Sequence, residues 1–164
     1  MVAVTSQIDA NSEAFAANRA SMMSFVERLR ALEARASEVS AKRRATFEKR
    51  GQLLPIDRLY RLLDPGMPFL RLHTLANFAV DNPDQEASIP GASVMVGIGF
   101  VGGVRCMIWV DDSGIAAGAM TTKTGEVATS LQEICKRQKL PLIHLVESAG
   151  ANLLQYQTEL WSIF

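Results

Sequence analysis

The sequence predicts an α/β fold of strand, strand, helix, strand and helix behind a long helical arm, and three patterns carry that expectation. Val94, Val96, Ile98 and Phe100 alternate, Gly102-Gly103 supplies a two-residue turn, and Val104, Cys106, Ile108 and Val110 alternate again, which reads as a β-hairpin. Val127, Leu131, Ile134 and Cys135 then recur at helical spacing. Residues 142–146 form a short run, apolar on both faces, as expected of a strand covered on both sides.

The elements follow in order. Residues 11–50 contain neither Pro nor Gly. Phe15, Met22, Leu29 and Ala36 fall seven apart there, and Phe25, Leu32 and Val39 make a second seven-spaced row, so one long amphipathic helix is expected. Its other faces carry Glu27, Arg28, Arg30, Glu33, Arg35 and Glu38, and Lys42-Arg43-Arg44 continues as a basic patch. The repeat lasts roughly four heptads, which favours an arm packed on its own protein over a separate partner-binding coiled coil. Gly51 and Pro55 close the arm, "IDRLYRLLD" reads as a short helix ending at Asp64-Pro65-Gly66, and "PFLRLHTL" reads as extended. The polar "DNPDQEASIPG" makes residues 77–91 a surface loop. After the hairpin, "DDSGIAAGAMTTKTGE" is a loop of small residues. The helix after it ends in Lys136, Arg137 and Lys139, cations that suit its C-terminal dipole, and stops at Pro141. A last helix is expected beyond Asn152, with Leu153, Gln157, Leu160, Trp161 and Phe164 on one side.

Composition limits the function classes. With 164 residues, 48% of them hydrophobic and 21% charged, the chain is long enough for one core. Basic and acidic residues balance at 17 each, so no overall field draws it to nucleic acid or to an anionic membrane, and neither is expected as a partner. An anionic ligand must then be held by local groups. Cys106, Cys135, His73 and His144 share no metal-ligand spacing, so no metal is expected, and a reduced, cytoplasmic setting fits the cysteines. The N-terminus lacks a basic start with an apolar block, and no run reaches the ~20 apolar residues of a membrane span.

Two small-residue loops, residues 116–119 and 148–151, each follow a strand and precede a helix. In a layered α/β arrangement their backbone N–H groups can point into one cleft and hold a negative oxygen, since no bulky side chain blocks the approach. Close packing of turns accounts for the same spacing.

At these residues the chain resembles a known family. "RLYRLLDPGMPFLRL", "GIGFVGGVRCMIWVDDSGIAAGAM" and "LPLIHLVESAGANL" are similar, in order and spacing, to the carboxyltransferase (β) subunits of biotin-dependent acyl-CoA carboxylases, relatives of propionyl-CoA and methylcrotonyl-CoA carboxylase. The resemblance implies a crotonase-like fold of repeated strand-strand-helix units, and transfer of a carboxyl group from carboxybiotin to the α-carbon of an acyl-CoA. Residues 1–50 would then be an N-terminal helical arm and residues 51–164 the first part of the acyl-CoA-binding N-domain. The family's strand-end motif, Asp-Ser-Gly-Gly-Ala, corresponds to Glu147, Ser148, Ala149, Gly150 and Ala151. Backbone donors at Ala149 and Gly150 would form the thioester oxyanion hole, where losing one donor typically costs about 3 kcal/mol. Gly118, Ala119 and Ala151 would line the acyl-CoA cleft.

The resemblance implies biotin carried on a partner, a biotin carboxylase or biotin carboxyl carrier subunit, and association with complete carboxyltransferase subunits or with itself. Ala149 and Ala117 replace the first glycines of two family Gly-Gly pairs, tolerable where the backbone angles are not those reserved for glycine. The resembling subunits are much longer, with two crotonase-type halves, so the chain reads as an N-terminal fragment, inactive alone. Its strands at 94–110 and 142–146 would lack covering layers and promote association. Two other classes stay open: a silent acyl-CoA-binding or assembly subunit, and a biotin-dependent decarboxylase subunit or hydratase with the same oxyanion hole. Glu147 is expected to anchor its turn and His144 to be a buried, hydrogen-bonded core histidine. Arg50, Arg58 and Arg61 are candidates for the coenzyme A phosphates or for a solvated helix face.

Overall fold

The Ser12 hydroxyl accepts the Phe15 N–H at 3.2 Å, capping the start of helix α1 (Glu13–Ala41) in the computed structural model, which describes residues 5–150. The helix stops at Ala41, before the expected end of the arm at residue 50: Arg43 turns back onto the Ser40 carbonyl at 3.0 Å, and α2 (Arg44–Lys49) starts afresh. Contacts on both sides of the break fix it. Ser40 donates to Asp112 at 2.7 Å, Arg44 reaches Asp57 at 3.0 Å and Phe47 is buried, which together outweigh the modest propensity of one helical turn. Two compact units divide between Leu32 and Glu33, inside the expected 1–50 arm. In the first, Met22, Phe25 and Leu29 keep exposed side chains. The second, described from here on, holds the sheet.

Pro55 presets the first turn of α3 (Pro55–Leu62), which buries Leu59. The helix-ending Asp64 has a further use. Its carboxylate accepts the N–H groups of Gly102 and Gly103, both at 2.7 Å, and its own N–H reaches Phe100 O at 2.9 Å, pinning the hairpin turn to the end of α3. The turn joins β2 (Val94–Val101) to β3 (Val104–Asp111) with both glycines left-handed, as a two-residue hairpin demands. The extended "PFLRLHTL" contributes only the three residues of β1 (Leu70–Leu72). Between β1 and β2 runs the expected loop. Arg35, on α1, holds it by donating to the carbonyls of Gln85 at 2.6 Å and Ser88 at 2.9 Å.

After β3, Thr121 and Thr124 cap α4 (Thr122–Gln138) reciprocally, and Lys139 ends it in the left-handed conformation. The strand β4 (Leu142–Leu145) follows. The sheet runs β1-β2-β3-β4, with β1, β2 and β3 antiparallel and β4 parallel to β3, α4 making the connection that a parallel pair requires.

Register decides which side chains share a face. Val96 pairs with Trp109 and Gly97 with Ile108, so the two alternating sets seen in the sequence point to opposite sides. Val94, Val96, Met107 and Trp109 meet Val127 and Leu131 of α4, while Met95, Cys106, Ile108 and Val110 meet Leu59 and Leu63. The hairpin is therefore covered on both faces, which corrects the expectation of an uncovered 94–110. The strand β4 differs: Leu142 is 44% exposed, and Val146 just after it 68%, while Ile143 and Leu145 pack on the α3 side. The helix expected beyond Asn152 lies outside the described residues.

Candidate functional site

The strands β3 and β4 run parallel, so the loops that leave their C-terminal ends lie side by side. Carboxylates organise this end. Asp111 Oδ1 accepts the indole N–H of Trp109 at 2.8 Å and meets His144 Nε2 at 3.1 Å, and its Oδ2 accepts the Glu147 N–H at 3.0 Å. A carboxylate only accepts, so the hydrogen in the His144 contact sits on Nε2. The His144 ring also stacks on Trp109 at 4.7 Å, but its side chain is 35% exposed, so it is hydrogen-bonded as expected without being buried. Glu147 forms an ion pair with Arg58, whose Nη2 also reaches the Asp111 carbonyl at 3.4 Å. This fits the anchoring role expected of Glu147 and leaves Arg58 engaged within the protein. Arg61 is exposed on α3.

Asp112 is buried. Its Oδ1 accepts the Ser40 hydroxyl at 2.7 Å and the Gly114 N–H at 3.1 Å. Burial raises its pKa above the ordinary 3.8, opposed by those hydrogen bonds and by the charges of Arg58 and Arg71. A folded-state pKa above the unfolded one means that the folded chain holds the proton more tightly. The associated stability is then fully present below 3.8 and is lost as pH rises through the raised value. Asp112→Asn keeps an acceptor oxygen for Ser40 and Gly114 and removes the charge. Urea unfolding across this acid range is expected to show a flatter pH dependence for the variant, with stability near neutrality equal to or above that of the unsubstituted chain. An unchanged slope would refute the assignment.

The first small-residue loop is a left-handed turn: Ala116, Ala117 and Gly118 have φ of 47°, 55° and 70°. Ala117 thus occupies the angles that glycine favours, and each left-handed alanine costs about 1 kcal/mol. The second loop packs onto it. The Ser148 hydroxyl donates to Gly118 O at 2.7 Å, the Ala149 N–H to Ala117 O at 3.2 Å and the Met120 N–H to Gly150 O at 2.9 Å, while the Gly150 N–H gives its hydrogen to Ser148 Oγ at 3.0 Å. Gly118 and Ala119 are thereby brought beside Ala149 and Gly150, and the N–H groups of all four are engaged inside the protein: Gly118 donates to Ile115 O at 2.9 Å and Ala119 to Ala116 O at 3.0 Å. Ala151 lies outside the described residues.

An open cleft of about 480 Å³ runs along these loops. Ala116, Ala117, Ser148 and Ala149 line it together with Glu147 and Ser113, and Arg43, Thr46, Phe47 and Arg50 of the α2 region form the rest of its wall. The Ser113 Oγ is buried without a hydrogen-bond partner among the described residues. Neither Arg43 nor Arg50 has a side-chain ion pair among the described residues. Arg50 was legible as a candidate. Arg43 was legible only as part of a basic patch, and Ser113 and the two aspartates carried no such signal, although an Asp-Asp pair at the end of an apolar strand marks carboxylates to satisfy.

Known proteins match this chain closely. A carboxyl transferase domain is matched over residues 47–160. The methylcrotonoyl-CoA carboxylase beta chain of Arabidopsis thaliana, a mitochondrial protein, is 36% identical over 150 residues, covering 89% of this chain and 24% of the relative. The biotin-dependent 3-methylcrotonyl-coenzyme A carboxylase beta1 subunit of Mycobacterium tuberculosis is 40% identical over 104 residues, covering 63% of this chain and 19% of the relative. The crystal structure of the P. aeruginosa geranyl-CoA carboxylase beta subunit superposes with a TM-score of 0.89 at 38% identity, covering 98% of this chain and 30% of that one. The chain thus spans 24% or less of the length of these two curated relatives.

Proposed function

The chain belongs to the carboxyl transferase domain family, with its crotonase-like α/β fold, and on that premise we propose that its cleft takes the thioester end of an acyl-CoA. The activity proposed is that of a carboxyltransferase subunit. The C–H bond at the α-carbon, or at the γ-carbon where the thioester is α,β-unsaturated, breaks with its proton passing to a base, and the electron pair moves onto the thioester oxygen as an enolate. That carbon then bonds to the carboxyl group as the group's bond to its carrier breaks. Carboxybiotin, carried by a biotin carboxylase or biotin carboxyl carrier partner, supplies that carboxyl group when bound; no described residue is assigned to it. Complete carboxyltransferase subunits, or further copies of this chain, are the other partners proposed.

The observation that carries this reading is the junction of the two small-residue loops on the cleft. Within it, Ala149 and Gly150 are proposed as the backbone donors to the enolate oxygen, with Gly118, Ala119 and Ala151 as the acyl-CoA surround. Arg43 and Arg50 support the same reading. They place cations without an ion pair among the described residues along a cleft whose proposed ligand carries a phosphate-rich tail, while the chain as a whole has no net charge. A reducing, cytoplasmic location is proposed from the two free cysteines, and no helix among the described residues is long and apolar enough to cross a membrane.

Calorimetric titration with 3-methylcrotonyl-CoA, geranyl-CoA and propionyl-CoA tests the proposal. Saturable binding of at least one thioester is expected, weakened about tenfold or more in an Arg43→Glu/Arg50→Glu double variant, since each lost charge-assisted hydrogen bond contributes about 1.5–3 kcal/mol. Absence of binding by all three thioesters would overturn it. Assay of the carboxylated product with a carboxybiotin carrier separates transfer from a silent binding role, and release of CO₂ or hydration of an enoyl thioester would mark the decarboxylase or hydratase alternative.

A further inference from the structure

A backbone N–H has one hydrogen to give. The Gly150 N–H gives its hydrogen to Ser148 Oγ and the Ala149 N–H gives its hydrogen to Ala117 O, so both donors assigned to the enolate oxygen are spent inside the protein. Ser148 then ties its own loop to the neighbouring one by donating to Gly118 O at 2.7 Å. We propose that Ser148 is a positioning residue that latches the thioester site closed, and that the carbonyl oxygen of an acyl-CoA opens it by replacing Ser148 Oγ and the Ala117 carbonyl as acceptor. The proposal rests on the acyl-CoA reading above.

Three observations support the latch. Opening exchanges one acceptor for another, so the donors lose little when the thioester oxygen arrives. The first loop is strained, with Ala116 and Ala117 both left-handed, and parting the two loops gives it freedom to relax. Gly150, at φ 93°, has no heavy atom of the described residues within 4 Å of where a Cβ would stand, which leaves its peptide room to turn among them. The Met120 N–H, holding Gly150 O at 2.9 Å, is a contact about which that turn can occur. Among these contacts the Ser148 hydroxyl is the only side-chain group, so one substitution removes it and leaves every backbone donor in place.

A closed latch lowers apparent affinity by the fraction of molecules that are open. Ser148→Ala removes the bond to Gly118 and frees the Gly150 N–H, and is therefore expected to bind 3-methylcrotonyl-CoA about three- to tenfold more tightly. Coenzyme A itself has no acyl carbonyl to seat between the donors, so its affinity is expected to stay unchanged, and Ser148→Thr, which keeps the hydroxyl, is expected to restore the affinity of the unsubstituted chain. A general loosening of the fold would move both ligands together.

Titration of the unsubstituted chain provides a second readout that needs no variant. The amide resonances of Ala149 and Gly150 should shift with the thioester and stay in place with coenzyme A. Binding by the unsubstituted chain with no tightening in a folded Ser148→Ala, equal tightening toward both ligands, or unmoved amides would overturn the latch alone. Failure of the unsubstituted chain to bind any thioester would remove the acyl-CoA reading and the latch with it.

Discussion

Gly118→Ala is expected to destabilise the chain by about 3 kcal/mol or more. A Cβ built at Gly118 would stand 2.5 Å from the Glu147 carbonyl oxygen, 3.3 Å from Ser148 Cα and 3.4 Å from Ser113 Cα. All three neighbours are backbone, so no flexible side chain can step aside. The residue is also held at φ 70°, where an added methyl costs about 1 kcal/mol on its own. Relief requires the two loops to separate, which breaks the bonds from Ser148 to Gly118 and from Ala149 to Ala117, each a net contribution of about 1 kcal/mol. Gly150→Ala is the control. Its φ is also positive, but no atom of the described residues stands beside it, so a loss of only about 1 kcal/mol is expected. Urea unfolding of the three chains compares them directly, and equal midpoints for Gly118→Ala and Gly150→Ala would show that the loops do not meet as described.

The parts of the fold that were legible in the sequence are those fixed by local chemistry. Gly102-Gly103 sets the hairpin because both positions need positive φ, and Pro55, Thr121 and Pro141 punctuate helices through effects within a few residues of themselves. What stayed hidden depends on distant partners. The arm breaks at Lys42-Arg43 through bonds to Asp57 and Asp112, residues far along the chain that periodicity cannot register. The covering of both hairpin faces was missed for a related reason. Alternation shows that a strand has two kinds of face, but only the pairing of Val96 with Trp109 reveals that the apolar set of β2 and that of β3 look in opposite directions.

The candidate site divides along the same line. That the two small-residue loops come together was readable from their common position after strands and before helices. That their donors are already occupied was not, because the acceptors are a serine hydroxyl and a carbonyl brought close only by folding. Ala117 illustrates the limit. From sequence its methyl looked acceptable, yet the turn places it at φ 55°, in the angles that glycine favours, so the loop carries strain that a Gly-Gly pair would avoid.

Asp111→Ala is expected to produce the other large loss, about 3–5 kcal/mol, because one buried carboxylate serves three contacts, on β3, on β4 and in the turn after β4. Its removal leaves the Trp109 indole N–H and the Glu147 N–H without their acceptor, and an unsatisfied buried donor costs about 1–3 kcal/mol. The effect should reach the site, since Glu147 begins the turn that carries Ser148, Ala149 and Gly150. Thioester affinity is therefore expected to fall with stability. Asp111→Asn separates the contributions: its amide carbonyl can accept from Trp109, but its NH₂ then faces the Glu147 N–H, donor against donor. The indole N–H resonance of Trp109 should stay near its original position in Asp111→Asn and move in Asp111→Ala, whereas the Glu147 amide should move in both. An Asp111→Ala chain that unfolds within about 1 kcal/mol of the unsubstituted one would mean that the carboxylate does not hold β3, β4 and the turn together, and the positioning of the second loop would have to be sought in the Arg58–Glu147 ion pair instead.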